Sequence, residues 1–423
     1  MLQKPSKNDP LNVWLNYIET LHPNEIELSL DRVREVNNRA NIDPSFPIIL
    51  VGGTNGKGSV CAFIESILYA SGLKVGCYTS PHLFRFNERI RINKQEVGDK
   101  DIVDALDCIE MSRRDIALTY FEISTLAAVK CMDKEKVDIA ILEVGLGGRL
   151  DAVNIYSPVI SLITSVSLDH QAYLGDTIDK IGFEKSGIFR KNVPAIINHK
   201  DPVPSMIDAA NKINSSLSLF SDDYNIEMHG NKLHYISHDS SYSGLPLPNI
   251  KGDHQIVNLA GALRCIELLA STMPIPLKSI RRGIADASIK GRFQIIKNKP
   301  FVVADVAHNP ESAYNLANNF IQAKQEGLTI AVFSVLADKD CLAIIQPFIG
   351  FIDKWYIAEL PSDRALSCNS IEEALRIGMP SVAIERFLTI HDAYKEALNN
   401  SHDNDNILMF GSFLVISESI GDK

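Results

Sequence analysis

The residues best equipped for chemistry come first at Gly52-Gly53-Thr54-Asn55-Gly56-Lys57-Gly58-Ser59. Glycines let backbone amides turn into a common concavity, a lysine neutralises phosphate oxygens, and a hydroxyl can ligate Mg²⁺. The general motif G-x-x-x-x-G-K-[ST] is missed by one residue, because Gly58 separates Lys57 from Ser59. A Gly-rich turn with a solvated lysine is the bland alternative. The flanks decide against it. Ile48-Ile49-Leu50-Val51 reads as a short buried strand, and Val60 to Ala70 has helical apolar spacing that stops at Ser71-Gly72. Strand, Gly-rich loop and helix form an ATP site.

Other chemical groups sit at the ends of further strands. Val137 to Leu142 is a buried strand running into Glu143 and the loop Gly145-Leu146-Gly147-Gly148-Arg149-Leu150-Asp151. Val159 to Val166 is another, ending near Asp169-His170, and a helix over 177–190 holds Glu184-Lys185. Strands alternating with helices imply a parallel sheet whose carboxyl-end loops form the site. Glu143, His170 and the phosphate loop would then meet in one crevice.

Around these lie the elements that must hold them. An amphipathic helix covers Leu11 to Ile18, a second ends near Asn41, a strand is expected at Lys74 to Thr79, and the polar–apolar alternation of Glu88 to Asn93 predicts a strand or hairpin arm. Helices come next at 99–111 and 120–132, the polar stretch 220–250 reads as a β excursion, and Asp253 caps a helix carrying Asn258. From Phe301 the alternation restarts, with a strand to Asp305, the loop His308-Asn309-Pro310, a helix at 311–326, a strand at 328–334, a helix after Asp338, a strand at 354–359, and a last one at 407–410 that meets the loop of Gly411-Ser412. The expected fold is α/β: a P-loop domain with a parallel sheet over 1–293, and a smaller Rossmann-like α/β domain over 294–423. At 423 residues the chain is long for one core, which agrees with two domains.

Net charge of −10 argues against non-specific nucleic-acid binding, which needs a basic surface. Seven scattered cysteines, none in C-x-x-C, suit free thiols in a reducing cytoplasm. No run reaches the roughly 18 apolar residues of a membrane span. A cytoplasmic monomer handling small molecules, without nucleic acid or membrane, is the expectation.

Taken in order, these stretches resemble the folylpolyglutamate synthase/dihydrofolate synthase branch of the Mur ligase superfamily, over nearly the whole chain. The resemblance rests on Gly53 to Ser59, Ser80-Pro81-His82-Leu83, Phe121-Glu122, Leu142 to Asp151, Asp169-His170, Glu184 to Ile188, Gly291-Arg292-Phe293 and Asp305-Val306-Ala307-His308-Asn309-Pro310. The inserted Gly58 is itself typical of this branch. Members form an amide between a folate carboxylate and the amine of glutamate, converting ATP to ADP and phosphate through an acyl phosphate. The P-loop domain is then Mur ligase-like.

The resemblance implies roles residue by residue. Thr54, Asn55, Gly56, Lys57, Gly58 and Ser59 would hold ATP, with Asn258, Arg292 and Asp305 contacting it across the domain joint. Ser59, Ser80 and Glu143 would hold a first Mg²⁺, and Glu143 with His170 a second. Lys185 would be carbamylated by CO₂, turning a cation into an anionic ligand, which requires a neutral amine. Lys57, His170 and Lys185 are the expected catalytic set. The pterin side would use Glu27, Leu28, Phe121, Glu122, Ile123, Ser124, Leu150, Asp151 and Ala152, although Phe121 could equally be core. His308 and Ser412 go to the glutamate side, with glutamate arriving on domain closure.

Both activities are expected, dihydrofolate synthase and folylpolyglutamate synthase; the polyglutamylating activity alone, or a Mur-type ligase for another carboxylate, are the alternatives. The absence of a separate UDP-binding N-terminal domain disfavours the latter. A P-loop ATPase module would need neither Lys185 nor a second α/β domain, and Gly145 to Gly148 does not fit the dinucleotide motif G-x-G-x-x-G.

Overall fold

Pro44 and Pro47 halt the preceding segment, and the aliphatic run behind them becomes a strand buried at every position, β1 (Ile48–Gly52). The coordinates are those of a computed structural model, which describes residues 3–24 and 26–421. Met1, Leu2, Glu25, Asp422 and Lys423, which fall in the expected spans 1–293 and 294–423, lie outside the described residues. The chain forms two units, one of Met1–Asn249 and Ile256–Ser288, the other of Ile250–Gln255 and Ile289–Lys423.

In the first unit β1 is joined by β2 (Val75–Tyr78), β3 (Ile90–Ile92), β4 (Gln95–Glu96), β5 (Ile139–Glu143), β6 (Ile160–Ile163), β7 (Pro194–Ile197) and β8 (Ser216–Leu219). Their order is β4-β3-β2-β5-β1-β6-β7-β8, parallel from β2 to β8, with β3 and β4 turned back antiparallel. Pairing of Val51 with Glu143 and of Gly52 with Ile163 sets three carboxyl ends side by side. The sheet's helices are α1 (Leu11–Glu19), α2 (Asp31–Arg39), α3 (Lys57–Ala70), α4 (Asp99–Arg113), α5 (Tyr120–Glu135), α6 (Gln171–Leu174), α7 (Ile178–Ser186), α8 (Pro204–Lys212), α9 (His254–Leu269) and α10 (Leu277–Asp286). Every residue of α3 from Ser59 to Leu68 is buried, as expected of a helix that is apolar almost all round. Part of the cover is α10: a Cβ on Gly283 would stand 2.4 Å from the Ile67 Cα, so only glycine permits that approach.

Two boundaries differ from expectation. The strand sought over Glu88 to Asn93 is confined to Ile90–Ile92, because Phe86–Arg89 coils into a 3₁₀ turn. There the Glu88 carboxylate accepts the N–H groups of Leu83, Phe84 and Arg85 at 2.9, 3.2 and 3.3 Å. The helix sought over 177–190 stops at Ser186. A Cβ on Gly187 would lie 2.3 Å from that of Arg149, and Ile188 and Phe189 turn inward to the core. The strand pair β7 and β8, with α8, was not expected from the sequence.

The polar stretch 220–250 is a three-stranded antiparallel sheet, β9 (Tyr224–His229), β10 (Lys232–Ser237) and β11 (Ser241–Leu245). A carboxylate on α9 holds it. Glu267 accepts from Tyr235 Oη at 2.6 Å, Ser237 Oγ at 2.5 Å and Arg264 Nη1 at 2.9 Å. Burial alone would raise its pKa, but the bonds from Ser237, Tyr235 and Arg264 outweigh it and hold the group below the usual range. Glu267→Leu leaves Tyr235 Oη and Arg264 Nη1 without this acceptor, while the guanidinium keeps Ser218 Oγ at 3.1 Å. It should destabilise the first unit by about 3 kcal/mol in urea unfolding; a loss below about 1 kcal/mol would mean water replaces the carboxylate.

The second unit holds β12 (Gln294–Asn298), β13 (Phe301–Ala304), β14 (Thr329–Phe333), β15 (Lys354–Ile357), β16 (Ala383–Arg386) and β17 (Asn406–Phe410). Their order is β12-β13-β17-β14-β15-β16, all parallel except the β12 edge. Its helices are α11 (Pro310–Ala323), α12 (Cys341–Ile345), α13 (Cys368–Gly378), α14 (Ile390–Asn399) and α15 (Phe413–Ile420). Phe333, Phe348, Trp355 and Phe410 form its core, with the Phe348 and Phe410 ring centres 4.3 Å apart. Of these elements β12, β16, α13, α14 and α15 were not expected from the sequence.

Candidate active site

The loop between β1 and α3 is built by left-handed glycines and tied down from β6. Gly53 has φ +139° and Gly56 φ +89°. The Thr54 N–H donates to Ser165 O at 2.7 Å and the Asn55 N–H to Ser165 Oγ at 3.0 Å. Thr164 Oγ1 donates to Asn55 O at 2.6 Å. Lys57 folds back along the loop, its Nζ 3.0 Å from Gly53 O and 2.9 Å from Thr54 O. Ser59 is buried in the first turn of α3. Asn258 lies over the loop, since a Cβ on Gly56 would come within 2.4 Å of its Oδ1.

Lys185 reaches the same loop from α7. Its Nζ donates to Gly53 O at 2.9 Å in an enclosed position. Burial first, then the charge of Lys57, lowers its pKa to about 7, against the pull of Asp169 and Asp151. A substantial share of the amine is therefore neutral near neutrality. Glu143, the last residue of β5, is buried and accepts the Ser80 N–H at 3.1 Å through Oε2. His170 stands in the left-handed region at φ +50°, its N–H bonded to Asp169 Oδ1 at 2.8 Å. A non-glycine residue there is strained, as residues at functional sites often are.

The donors suit a hard divalent cation. Two hydroxyls, Ser59 and Ser80, and the Glu143 carboxylate offer oxygen atoms of the kind such a cation takes, and Mg²⁺ sites in general use one or two carboxylates plus substrate phosphates. Among the described residues no three His, Cys, Asp or Glu side chains converge as a ready metal cage.

Residues expected on the pterin side divide by exposure. Glu27 is exposed, and Leu28, Phe121 and Leu150 are half-buried. Phe121 packs closely on Gly145, where an added Cβ would sit 2.6 Å from the ring. Ile123, Ser124 and Ala152 are buried, and the Ser124 hydroxyl turns back to Tyr120 O at 2.6 Å. Glu122 closes a capping box with Thr119 and also meets Arg32 at 3.1 Å, while Arg32 in turn pairs with Glu27. Asp151 accepts the Leu146 and Val153 N–H groups at 2.8 and 3.1 Å, shaping the glycine loop from inside. Burial pushes its pKa up to about 7 against those bonds.

Within the second unit, Asp305 binds the N–H groups of Phe293 and Ala307 at 2.7 and 2.8 Å, uniting the loop of Arg292 with its own. His308 and Ser412 lie just past the adjacent strands β13 and β17; His308 Nδ1 lies 2.7 Å from Val306 O, and its ring centre 6.1 Å from that of Phe413. Ser412 is the N-cap of α15, its Oγ accepting from the Leu414 N–H at 3.2 Å.

Sequence reasoning missed the Thr164-Ser165 clamp and Arg89. The clamp had one signal, a run of hydroxyls closing an aliphatic strand. Arg89 Nε donates to His82 Nδ1 at 2.8 Å, and its guanidinium carbon lies 5.8 Å from the centre of the Phe86 ring and 5.4 Å from that of Tyr120. Burial, then the Arg89 charge, lowers the His82 pKa to about 4.

Known proteins are similar to this chain in sequence and fold. The Mur ligase middle domain matches residues 51–266, and the Mur ligase glutamate ligase domain matches 291–413. The chain is 35% identical to the dihydrofolate synthase/folylpolyglutamate synthase of Haemophilus influenzae, over 97% of this chain and 96% of that protein. A solved structure described as E. coli FolC in complex with DHPP and ADP superposes with a TM-score of 0.92 at 36% identity, covering 98% of this chain and 97% of that one. A bifunctional folylpolyglutamate synthase/dihydrofolate synthase with Mn, AMPPNP and L-glutamate bound gives a TM-score of 0.90 at 37% identity, covering 98% of each chain.

Proposed function

The chain belongs to the dihydrofolate synthase/folylpolyglutamate synthase family of Mur ligases, and from that premise we propose that it joins L-glutamate both to dihydropteroate and to reduced folates at the expense of ATP. The observation that supports this most is the meeting of Lys57, Lys185 and the Thr164-Ser165 clamp on one phosphate loop, beside Ser80 and Glu143.

A carboxylate carbon is not electrophilic and its oxide is a poor leaving group. The acid's oxygen therefore attacks the γ-phosphorus of ATP and expels ADP, giving an acyl phosphate. The neutral amine of glutamate attacks that carbonyl, the tetrahedral intermediate expels phosphate, and the amine proton goes to solvent. The residues' task is positioning and charge neutralisation. Lys57 and the loop amides of Thr54 to Ser59 orient the β- and γ-phosphates, and Asn258 bounds the loop. Mg²⁺, bound by Ser59, Ser80 and Glu143 with a second ion at Glu143 and His170, would offset the charge developing on the phosphoryl oxygens. Lys185, as a carbamate formed from its neutral amine and CO₂, would supply an anionic oxygen to that second site. Arg292 and Asp305 serve the nucleotide, His308 and Ser412 the glutamate.

Glu27, Leu28, Phe121, Leu150 and Asp151 would bound the pterin pocket, with Glu122, Ile123, Ser124 and Ala152 as its buried backing. The division of labour we propose gives 1–293 to the acid and most of the nucleotide, and 294–423 to glutamate with Asp305 on the nucleotide. A monomer in the cytoplasm is part of this reading, and seven free cysteines suit a reducing compartment. Among the described residues no helix is long and apolar enough to cross a membrane.

The pathway is tested by isotope transfer. With the acid's carboxylate labelled with ¹⁸O, one labelled oxygen should appear in the released phosphate; unlabelled phosphate would overturn the acyl phosphate. Glu143→Gln removes the anionic oxygen but keeps the shape. It should raise the Mg²⁺ concentration for half-maximal rate by about tenfold or more. An unchanged Mg²⁺ titration would refute the ligand role.

A further inference from the structure

The loop after β2 carries a histidine whose hydrogen-bonding state is set by its neighbour. A guanidinium has only donors. Because Arg89 Nε donates to His82 Nδ1 at 2.8 Å, that nitrogen must be the acceptor. The imidazole is then neutral, with its one proton on Nε2. Among the described residues nothing accepts from Nε2, and the side chain is part exposed. The molecule thus holds a single oriented donor open to a ligand.

Much of the local structure maintains that state. Arg89 is itself buried and lies against the rings of Phe86 and Tyr120. Those rings belong to a packed set: Phe86 and Tyr120 meet edge to face at 5.9 Å, and His82 and Phe86 at 6.2 Å. The Glu88 carboxylate gathers the N–H groups of Leu83, Phe84 and Arg85, fixing the loop just past the histidine. Surface histidines need no such support.

Its place says what the donor is for. On one side, two residues back, Ser80 N–H meets Glu143 at the end of β5, beside the phosphate loop. On the other, Tyr120 opens α5 and is followed by Phe121, which packs on Gly145. His82 thus follows by two positions the residue whose N–H meets Glu143, and Phe86, against which it packs, meets the ring of Tyr120, the residue before Phe121.

Resting on the function proposed above, we propose that His82 Nε2–H donates a hydrogen bond to an oxygen of the carboxylate-bearing substrate, and that Arg89 is the positioning residue that keeps the proton on Nε2. A neutral donor suits this place: it orients the oxygen without neutralising the nucleophile, which a protonated imidazole would do.

The test compares wild type, His82→Asn, His82→Gln and Arg89→Met by the KM of each substrate, with ¹⁵N NMR of the His82 ring assigned by its loss in His82→Gln. His82→Asn should raise the KM for dihydropteroate about tenfold, leaving those for ATP and glutamate unmoved. His82→Gln, whose amide nitrogen reaches close to the Nε2 position, should recover part of the loss. Arg89→Met should raise the same KM and convert the ring from a pure Nε2–H tautomer to a mixture. An unmoved dihydropteroate KM in His82→Asn, or a pure Nε2–H tautomer that survives Arg89→Met, would overturn the proposal while wild-type turnover still upholds the ligase. Wild type that ligates neither acid would overturn the ligase reading and this assignment with it.

Discussion

Lys185→Ala should reduce turnover by about a hundredfold or more while the protein remains folded. The side chain is enclosed, and its Nζ donates to the Gly53 carbonyl at 2.9 Å. That carbonyl keeps its bond from Lys57 Nζ at 3.0 Å when Lys185 is lost, and water can enter the space, so the structural cost is modest. The loss should fall in kcat, because the group acts where charge develops. Added short-chain carboxylates should restore part of the rate by entering the space left by the side chain. The pH dependence comes from the depressed pKa of about 7. Below it the ammonium dominates and cannot take up CO₂; as pH rises through it, the neutral amine and hence the carbamate increase. At limiting bicarbonate the wild-type rate should climb between about pH 6 and pH 8 and flatten beyond. Full activity in Lys185→Ala would remove the carbamate from the mechanism.

Gly53→Ala should sharply weaken nucleotide binding. Gly53 has φ +139°, a region that side chains rarely adopt, and an added Cβ would stand 1.9 Å from Thr164 Oγ1. Thr164 cannot yield freely, since its hydroxyl holds Asn55 O at 2.6 Å and its N–H holds Gly52 O at 2.9 Å. The loop would have to leave β6, taking with it the carbonyl that both lysines share. Backbone strain of this kind costs about 1–3 kcal/mol before the clash is counted, so ATP affinity should fall by at least about tenfold to a hundredfold. Isothermal titration with a non-hydrolysable ATP analogue, beside an unchanged far-UV CD spectrum, checks it; wild-type affinity would mean the loop tolerates the shift.

Much of this site was legible because its signals are local. Gly52 to Ser59 announces a phosphate loop within eight residues, and Glu143 and His170 sit just past aliphatic strands, where a parallel sheet gathers its functional groups. The Thr164-Ser165 clamp was hidden because it bonds residues some 110 positions away, a separation only the β1–β6 pairing reveals. Arg89 was hidden for another reason. It looked like one polar position of an alternating strand, whereas the 3₁₀ turn over Phe86–Arg89 swings it onto His82. In the second unit the strands with aliphatic runs were visible. By contrast β16, with three exposed charged or small residues among four, has no apolar run to betray it. Ser412 and Asn309, read as loop groups, turn out to cap α15 and α11, so their side chains already have structural partners.

Glutamate-dependent phosphate release from ATP and Mg²⁺, run separately with dihydropteroate and with tetrahydrofolate, tests the bifunctional ligase most directly. Release with both acids, each needing glutamate, is the predicted result. Release with tetrahydrofolate alone would contradict the bifunctional assignment and leave a polyglutamylating enzyme, and release with neither would contradict the ligase reading as a whole.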